Sequence, residues 1–196
     1  MFAKGPHLVT HISIIGTGKM GQAIAKLATN GGHTVELLGK DDPASGDIVI
    51  LAVPHSAIQD LLQQRSEHLA GKVVVDISNP VNFETFDSLT VPADSSATSE
   101  IAAALPGSHV LKAFNTTFAA TLAAGTVGPL TTTVLIAGDN TDAKSLLAEV
   151  ITTGGLHAID AGPLRRAREL EARGFLQLTL AARELVPWTA GFGLVT

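Results

Sequence analysis

The sequence predicts an α/β protein: a doubly wound, mostly parallel sheet followed by a C-terminal helical extension. Three observations carry this. Short apolar runs suited to buried strands alternate with longer segments of helical apolar spacing along almost the whole chain. A glycine cluster, Gly16-Thr17-Gly18-Lys19-Met20-Gly21, stands between the first apolar run and the first helical segment. With 196 residues and 45% hydrophobic content, the chain can bury the core of one such domain with a small appendage.

The elements follow in order. His11 to Ile15 reads as a strand, and the helix after the glycines puts Met20, Ile24, Leu27 and Ala28 on one face. Asn30-Gly31-Gly32 stops that helix, Thr34 to Leu38 is a second strand, and Ile48 to Val53 a third. The polar stretch from Gly39 to Asp47 is too short and too rich in breakers for a crossover helix, so a loop must cross, or the third strand must pair unconventionally. A helix from Ser56 to Leu69 follows, with Ile58, Leu61 and Leu62 on its apolar face, then a strand from Lys72 to Ile77. A polar loop, Asn79 to Ser96, leads to an Ala-rich helix ending at Leu105-Pro106-Gly107 and a strand from His109 to Phe114. Thr131 to Ala137 is a further strand, Thr141 to Thr153 a helix closed by Gly154-Gly155, and Leu156 to Ile159 a last strand. From Pro163 a terminal helix runs through Leu164, Leu170, Phe175 and Leu178 towards Pro187. The expected division is residues 8–162 as the sheet domain and 163–196 as the extension, packing on it or on a second subunit.

Ligands of such sheets bind outside the carboxyl ends of the strands, which directs attention to the glycine cluster. There Gly16 permits a tight turn, Gly18 lets backbone approach a pyrophosphate, and Gly21 lets helix and strand pack closely, so the motif reads as a dinucleotide site. The free N–H groups and positive dipole end of the helix complete it. The bland alternative is an ordinary Gly-rich turn.

Composition narrows the partners. A formal net charge of -5 and the lack of a dense Lys/Arg run argue against nucleic acid or an anionic membrane, and favour an enzyme of small molecules. With no cysteine there is no disulfide, thiolate nucleophile or cysteine-bound zinc, which suits a cytoplasmic setting. Met1 to Pro6 has no apolar signal core, and no apolar run approaches the roughly 20 residues that span a bilayer. The end of the second strand bears on the cofactor. An NAD site usually places an Asp or Glu there, whereas a 2'-phosphate needs a cation. Gly39 and Lys40 favour NADP; Asp41 and Asp42 would restore NAD if the strand ended a residue or two later.

Six segments, in order, resemble the deazaflavin (coenzyme F420)-dependent NADP oxidoreductase family: Ile15 to Gly21, Leu51 to Pro54, Asp76 to Pro80, Lys112 to Thr116, Ala137 to Asp139, and Asp160 to Leu164. The resemblance extends from about Ile12 to the terminal helix and implies a Rossmann-like, NADP-binding fold. It implies that Gly16, Thr17, Gly18, Lys19, Met20 and Gly21 hold the pyrophosphate. Gly39 and Lys40 fall where the family has a Ser-Arg pair on the 2'-phosphate, while Ala52, Val53, Pro54 and His55 line the ribose and nicotinamide side. Asn79, Pro80, Phe114 and Asn115 border the nicotinamide and the acceptor. The chain departs from the family in Gly39, in Lys40, in the short segment after the second strand, and in Ala172-Arg173-Gly174-Phe175.

The activity implied is hydride transfer between NADP(H) and a deazaflavin- or flavin-like small-molecule acceptor. Such chemistry is carried by the cofactors and asks the protein to stack two rings and exclude water. Alternatives are a non-catalytic NADP(H)-sensing module, or a ferric, imine or carbonyl reductase on the same fold. No triad, metal cluster or acid/base pair is evident. His55 is the candidate for proton transfer, with a ribose contact or a capping role as the alternative. Asn115 is the candidate for orienting the nicotinamide amide or the acceptor, with a turn residue satisfying its own backbone as the alternative. No metal site is expected; His7 and His11 are four apart, but His7 lies towards the terminus. The run from Arg165 to Arg173 reads as the solvated face of a helix or a subunit contact, and the long apolar extension suggests a homodimer.

Overall fold

Alternation along the short strands feeds two cores, one on each face of the sheet. In β1 (His11–Ile15), Ile12 and Ile14 join one core and Ile15 the other; in β3 (Ile48–Leu51), Ile48 and Ile50 separate in the same way from Val49 and Leu51. The computed structural model describes residues 8–39 and 41–195, so His7 and Lys40 lie outside the described residues. The first core is closed by α1 (Lys19–Asn30) through Ile24, Leu27 and Ala28, and by α5 (Thr141–Thr153) through Leu147, Val150 and Ile151. The second is closed by α2 (His55–Leu69) through Ile58, Leu61 and Leu62, and by α3 (Ala97–Ala104) through Ile101.

The remaining elements are β2 (Thr34–Leu38), β4 (Val73–Asp76), β5 (His109–Lys112), α4 (Ala119–Ala124), β6 (Thr126–Val127), β7 (Leu130–Thr131), β8 (Thr133–Gly138), β9 (His157–Gly162), a 3-10 turn at Leu164–Arg166, and α6 (Ala167–Ala182). The main sheet has seven strands in the order β2-β1-β3-β4-β5-β8-β9. Neighbours are parallel except β5 and β8, so the doubly wound, mostly parallel sheet and its C-terminal helical extension are as predicted. The chain reverses its direction of winding between β1 and β3, which makes their carboxyl ends the crevice of the fold.

Gly39 and residues 41–47 do cross as a loop. β3 pairs in parallel with β1 on the side away from β2, so the loop passes over β1, tied down by side chains where a helix would lie. Glu36 accepts from Ser13 Oγ and from the amide and hydroxyl of Ser45 at 3.0 Å each, while Gly46 N donates to Ser13 Oγ at 2.7 Å. Lys72 Nζ reaches the carbonyls of Ser45 and Gly46 at 3.0 and 2.7 Å, and Arg65 that of Asp42. Burial pushes the Glu36 carboxyl up, but these donors outweigh it and hold it below its ordinary value.

Two features were not foreseen. The stretch after β5 folds into α4 and the β6–β7 hairpin, and β8 then pairs antiparallel to β5 through Leu111 and Lys112 alone. An antiparallel neighbour needs no long crossover, so the six-residue α4 suffices. The buried face of α6 is Ala167, Leu170, Glu171, Gly174, Gln177 and Ala181. The Arg165 to Arg173 run is therefore not wholly solvated: Glu171 belongs to the interior because it finds buried partners there.

Candidate active site

At the crevice Gly16 has φ +122°, and a Cβ there would lie 2.2 Å from the carbonyl oxygen of Ala52, the residue after β3. A Cβ on Gly21 would lie 2.1 Å from Gly16 O, so these two glycines let β1, β3 and α1 converge. Gly18 differs: it caps α1 with φ -71°, and a Cβ there would meet nothing within 4 Å among the described residues. No side chain caps α1 and its first turn carries no acidic residue. The first N–H groups thus face open space with the positive end of the helix behind them.

From that terminus a cleft of about 350 Å³ runs past Lys19 and Met20 to the loops after β4 and β5 and to α6. Phe114 turns the chain there with φ +62°, a left-handed conformation rare for a bulky residue, and Asn115 N donates back to Ala113 O at 2.8 Å. Strain of about 1–3 kcal/mol persists at such positions only where the surroundings enforce it. Here the Phe114 side chain is buried in the core below the cleft.

The enforcement comes from two amides. Asn79 Nδ2 donates to the carbonyl of Asn115 at 2.9 Å, and Asn115 Nδ2 donates to Asn79 Oδ1 and to Leu170 O, each at 2.9 Å. Asn115 is therefore no self-satisfied turn residue, and its Oδ1, buried on the cleft, has no hydrogen-bond partner among the described residues. Gly174 lets α6 approach this pair, since a Cβ on it would sit 2.3 Å from Asn79 Oδ1. Phe118 and Trp188 close the cleft, with ring centroids 5.1 Å apart.

Beneath the amides lies a charge cluster that sequence reasoning missed. Lys112, Asp76 and Glu171 are each 0% exposed. Lys112 Nζ donates to Asp76 Oδ2 at 2.8 Å, Ser78 O at 2.6 Å and Glu171 Oε1 at 2.9 Å. Glu171 also accepts from the first amides of α3, Ala97 N at 3.0 Å and Thr98 N at 3.3 Å, so a helix N-terminus offsets the second carboxylate. Burial pushes the Asp76 carboxyl up, but the Lys112 ammonium and the Ser78 amide hold it below its ordinary value. The available signal was Lys112 itself, a cation in the middle of an apolar strand run.

A sequence model of the family described as NADP oxidoreductase, coenzyme F420-dependent, matches residues 40–80. The F420-dependent NADP reductase of Methanocaldococcus jannaschii is 31% identical over 142 residues, covering 70% of this chain and 63% of that protein. In sequence the chain thus resembles the coenzyme F420-dependent NADP oxidoreductases. Metalloreductase STEAP3 of Rattus norvegicus is 28% identical over 98% of this chain and 41% of that protein. The chain thus spans less than two thirds of the length of these curated relatives. A solved Arthrobacter structure, described as a candidate F420-dependent NADP-reductase, superposes with a TM-score of 0.81 at 23% identity, over 95% of this chain and all of that one. At that identity the likeness shows the shared fold.

The segments that carry the resemblance to the F420-dependent oxidoreductases divide by place. Lys19, Met20, Asn79, Phe114 and Asn115 line the cleft, with Gly16 to Gly21 at its mouth. Ala52 abuts Gly16, Pro54 caps α2, and Pro80 is buried, its carbonyl taken by Thr90. His55 opens α2 and lines a separate groove between α2 and α3, away from Asn115, with its Nδ1 buried and unpartnered among the described residues. Asp139 and Asp160 serve turns: Asp139 accepts from Leu164 N at 2.9 Å, and Asp160 from Gly162 N at 2.8 Å. At the end of β2, Gly39 N donates to Asp42 Oδ2 at 2.7 Å, so the loop folds a carboxylate back to the position the sequence left open.

Proposed function

We propose that the chain binds NADP(H) from the Gly16–Gly21 turn to Asn115, and transfers a hydride between its nicotinamide and a flat, deazaflavin- or flavin-like acceptor in the cleft. The observation that carries this is one continuous apolar cleft joining an uncapped helix N-terminus to a buried amide oxygen without a partner. The residues fit the dinucleotide: Gly18 leaves room for a pyrophosphate on the first N–H groups of α1, and Asn115 Oδ1 can accept from a carboxamide. The names of the family and of its archaeal relative support the same cofactor pair. When bound, the dinucleotide supplies the hydride. The residues 8–162 hold and orient it, and 163–196 close the acceptor side and exclude water.

Lys19 is the only ionisable side chain among the described residues lining the cleft. Lys19 opens α1 at the end proposed for the pyrophosphate and His55 lies in the other groove, which favours a ring acceptor over a carbonyl or imine, whose reduction calls for a proton donor positioned at the nicotinamide. Gly39, with Lys40 beyond the described residues, faces the 2'-phosphate, and Asp42 beside it loosens selection against NADH. Ala52, Val53 and Pro54 lie on the ribose side. Leu176, Leu185, Trp188 and Phe192, exposed on the extension, support a homodimer, which sedimentation would test. Calorimetry with NADPH, followed by turnover with deazaflavins, flavins, quinones and ferric chelates, tests the function. Saturable oxidation of NADPH by the ring acceptors is expected, whereas tight binding without turnover would identify a sensor.

A further inference from the structure

A second unpartnered amide oxygen faces the cleft. Gln177 is 3% exposed, lines the same cavity as Asn115, and its Oε1 is buried with no hydrogen-bond partner among the described residues. It stands one helical turn beyond Gly174, whose missing side chain brings α6 down onto Asn79, so both residues present the same face of the helix to the cleft. An amide buried without a partner is unfavourable, and such groups in native structures call for an explanation. None of the polar residues that share the cleft, Lys19, Asn79, Asn115 and Thr117, partners this oxygen, and the rest of the lining is apolar apart from Gln177 itself.

We propose that Gln177 reads the acceptor, pairing its amide with the cis –CO–NH– edge of a planar heterocycle of the imide or lactam class. The inference rests on the proposed hydride transfer in this cleft. Two amide oxygens await donors there, and they divide the work: Asn115 Oδ1 takes the carboxamide N–H of the nicotinamide, and Gln177 Oε1 takes a ring N–H of the acceptor. The Gln177 amide nitrogen meets the carbonyl beside that N–H. A quinone carries only carbonyls along its edge and offers Oε1 nothing, so Gln177 sorts ring acceptors by chemistry rather than by size.

Lumiflavin and its N3-methyl derivative separate this from simple apolar packing, because they share ring and redox chemistry and differ in the single N–H. Their dissociation constants are measured by fluorescence quenching with the full chain saturated with NADP+, for wild type and for Gln177→Leu and Gln177→Glu. The wild type should bind lumiflavin at least about tenfold tighter than the methylated ring, in line with one hydrogen bond to a group otherwise buried unpaired. Gln177→Leu should abolish the ratio, and Gln177→Glu, which keeps an acceptor oxygen, should restore part of it. A wild type that binds neither ring or both equally, or a ratio unchanged in Gln177→Leu, would overturn the assignment. Failure of NADPH itself to bind in a separate titration would instead overturn the proposed function.

Discussion

Among single residues, the three glycines of the first turn do different things. Gly16 and Gly21 are required by backbone atoms 2.2 and 2.1 Å from where a Cβ would be, so alanine at either should lower both stability and dinucleotide affinity. Gly18 has no such neighbour among the described residues. Gly18→Ala should keep stability within roughly 0.5 kcal/mol yet weaken NADPH binding about tenfold or more, read by thermal unfolding and calorimetry. An equal loss of both would make Gly18 a structural glycine. Asp42 gives a second contrast. Removing the carboxylate on Gly39 N with Asp42→Ala should improve NADPH severalfold and NADH little, and no change in the ratio of their dissociation constants would separate Asp42 from cofactor choice. Lys112 gives a third. Lys112→Met leaves two carboxylates buried around an apolar chain and should cost about 3–5 kcal/mol in urea unfolding. The pH dependence should also invert. In the wild type Asp76 titrates below its ordinary 3.8, so its contribution is complete above that pH and is lost as acid carries the pH down through the folded value. In the variant, burial without the cation raises the folded value, so stability should increase on going from about pH 7 to about pH 5.

At the scale of elements, the loop of residues 41–47 shows how a sheet dispenses with a crossover helix. Glu36, Ser13, Arg65 and Lys72 hold its backbone groups one by one. Lys72→Met should therefore speed amide exchange in residues 41–47 about tenfold while β1 and β3 stay protected, and a uniform change across the sheet would contradict a local tie. Lowering the pH through the depressed value of Glu36 should loosen the same segment, since its acceptor role is complete above 4.5 and disappears on protonation. The loop crossing was legible from breakers alone, and β1, α1 and β2 from apolar spacing, because local propensity and burial agree there. The antiparallel β8 was not legible: direction depends on where the preceding segment leaves the chain, and Ala119 to Thr131 carries no periodic signal long enough to show it. Glu171 and Gln177 escaped for a related reason. A polar residue on a buried face is specified by its partners, Lys112 and the amides of α3 for one, and those partners are remote in sequence.

For the molecule as a whole, the two cores fix the seven-stranded sheet, and the cleft proposed to hold the dinucleotide lies at the carboxyl ends of β1, β4 and β5. The cluster under Asn79 and Asn115 fastens α6 across that edge, so the extension forms one wall of the cleft. Among the described residues, no helix is long and apolar enough to cross a membrane. The glycine turn and the β5 turn were both visible in the sequence as motifs, whereas the distance between them, the cleft, exists only in the fold. The most direct test is a crystal structure of the full chain with NADPH. The pyrophosphate should lie on the first N–H groups of α1, with the carboxamide donating to Asn115 Oδ1 and the ring face open towards Gln177. A dinucleotide seated in the groove between α2 and α3, or a nicotinamide turned away from Asn115, would contradict it.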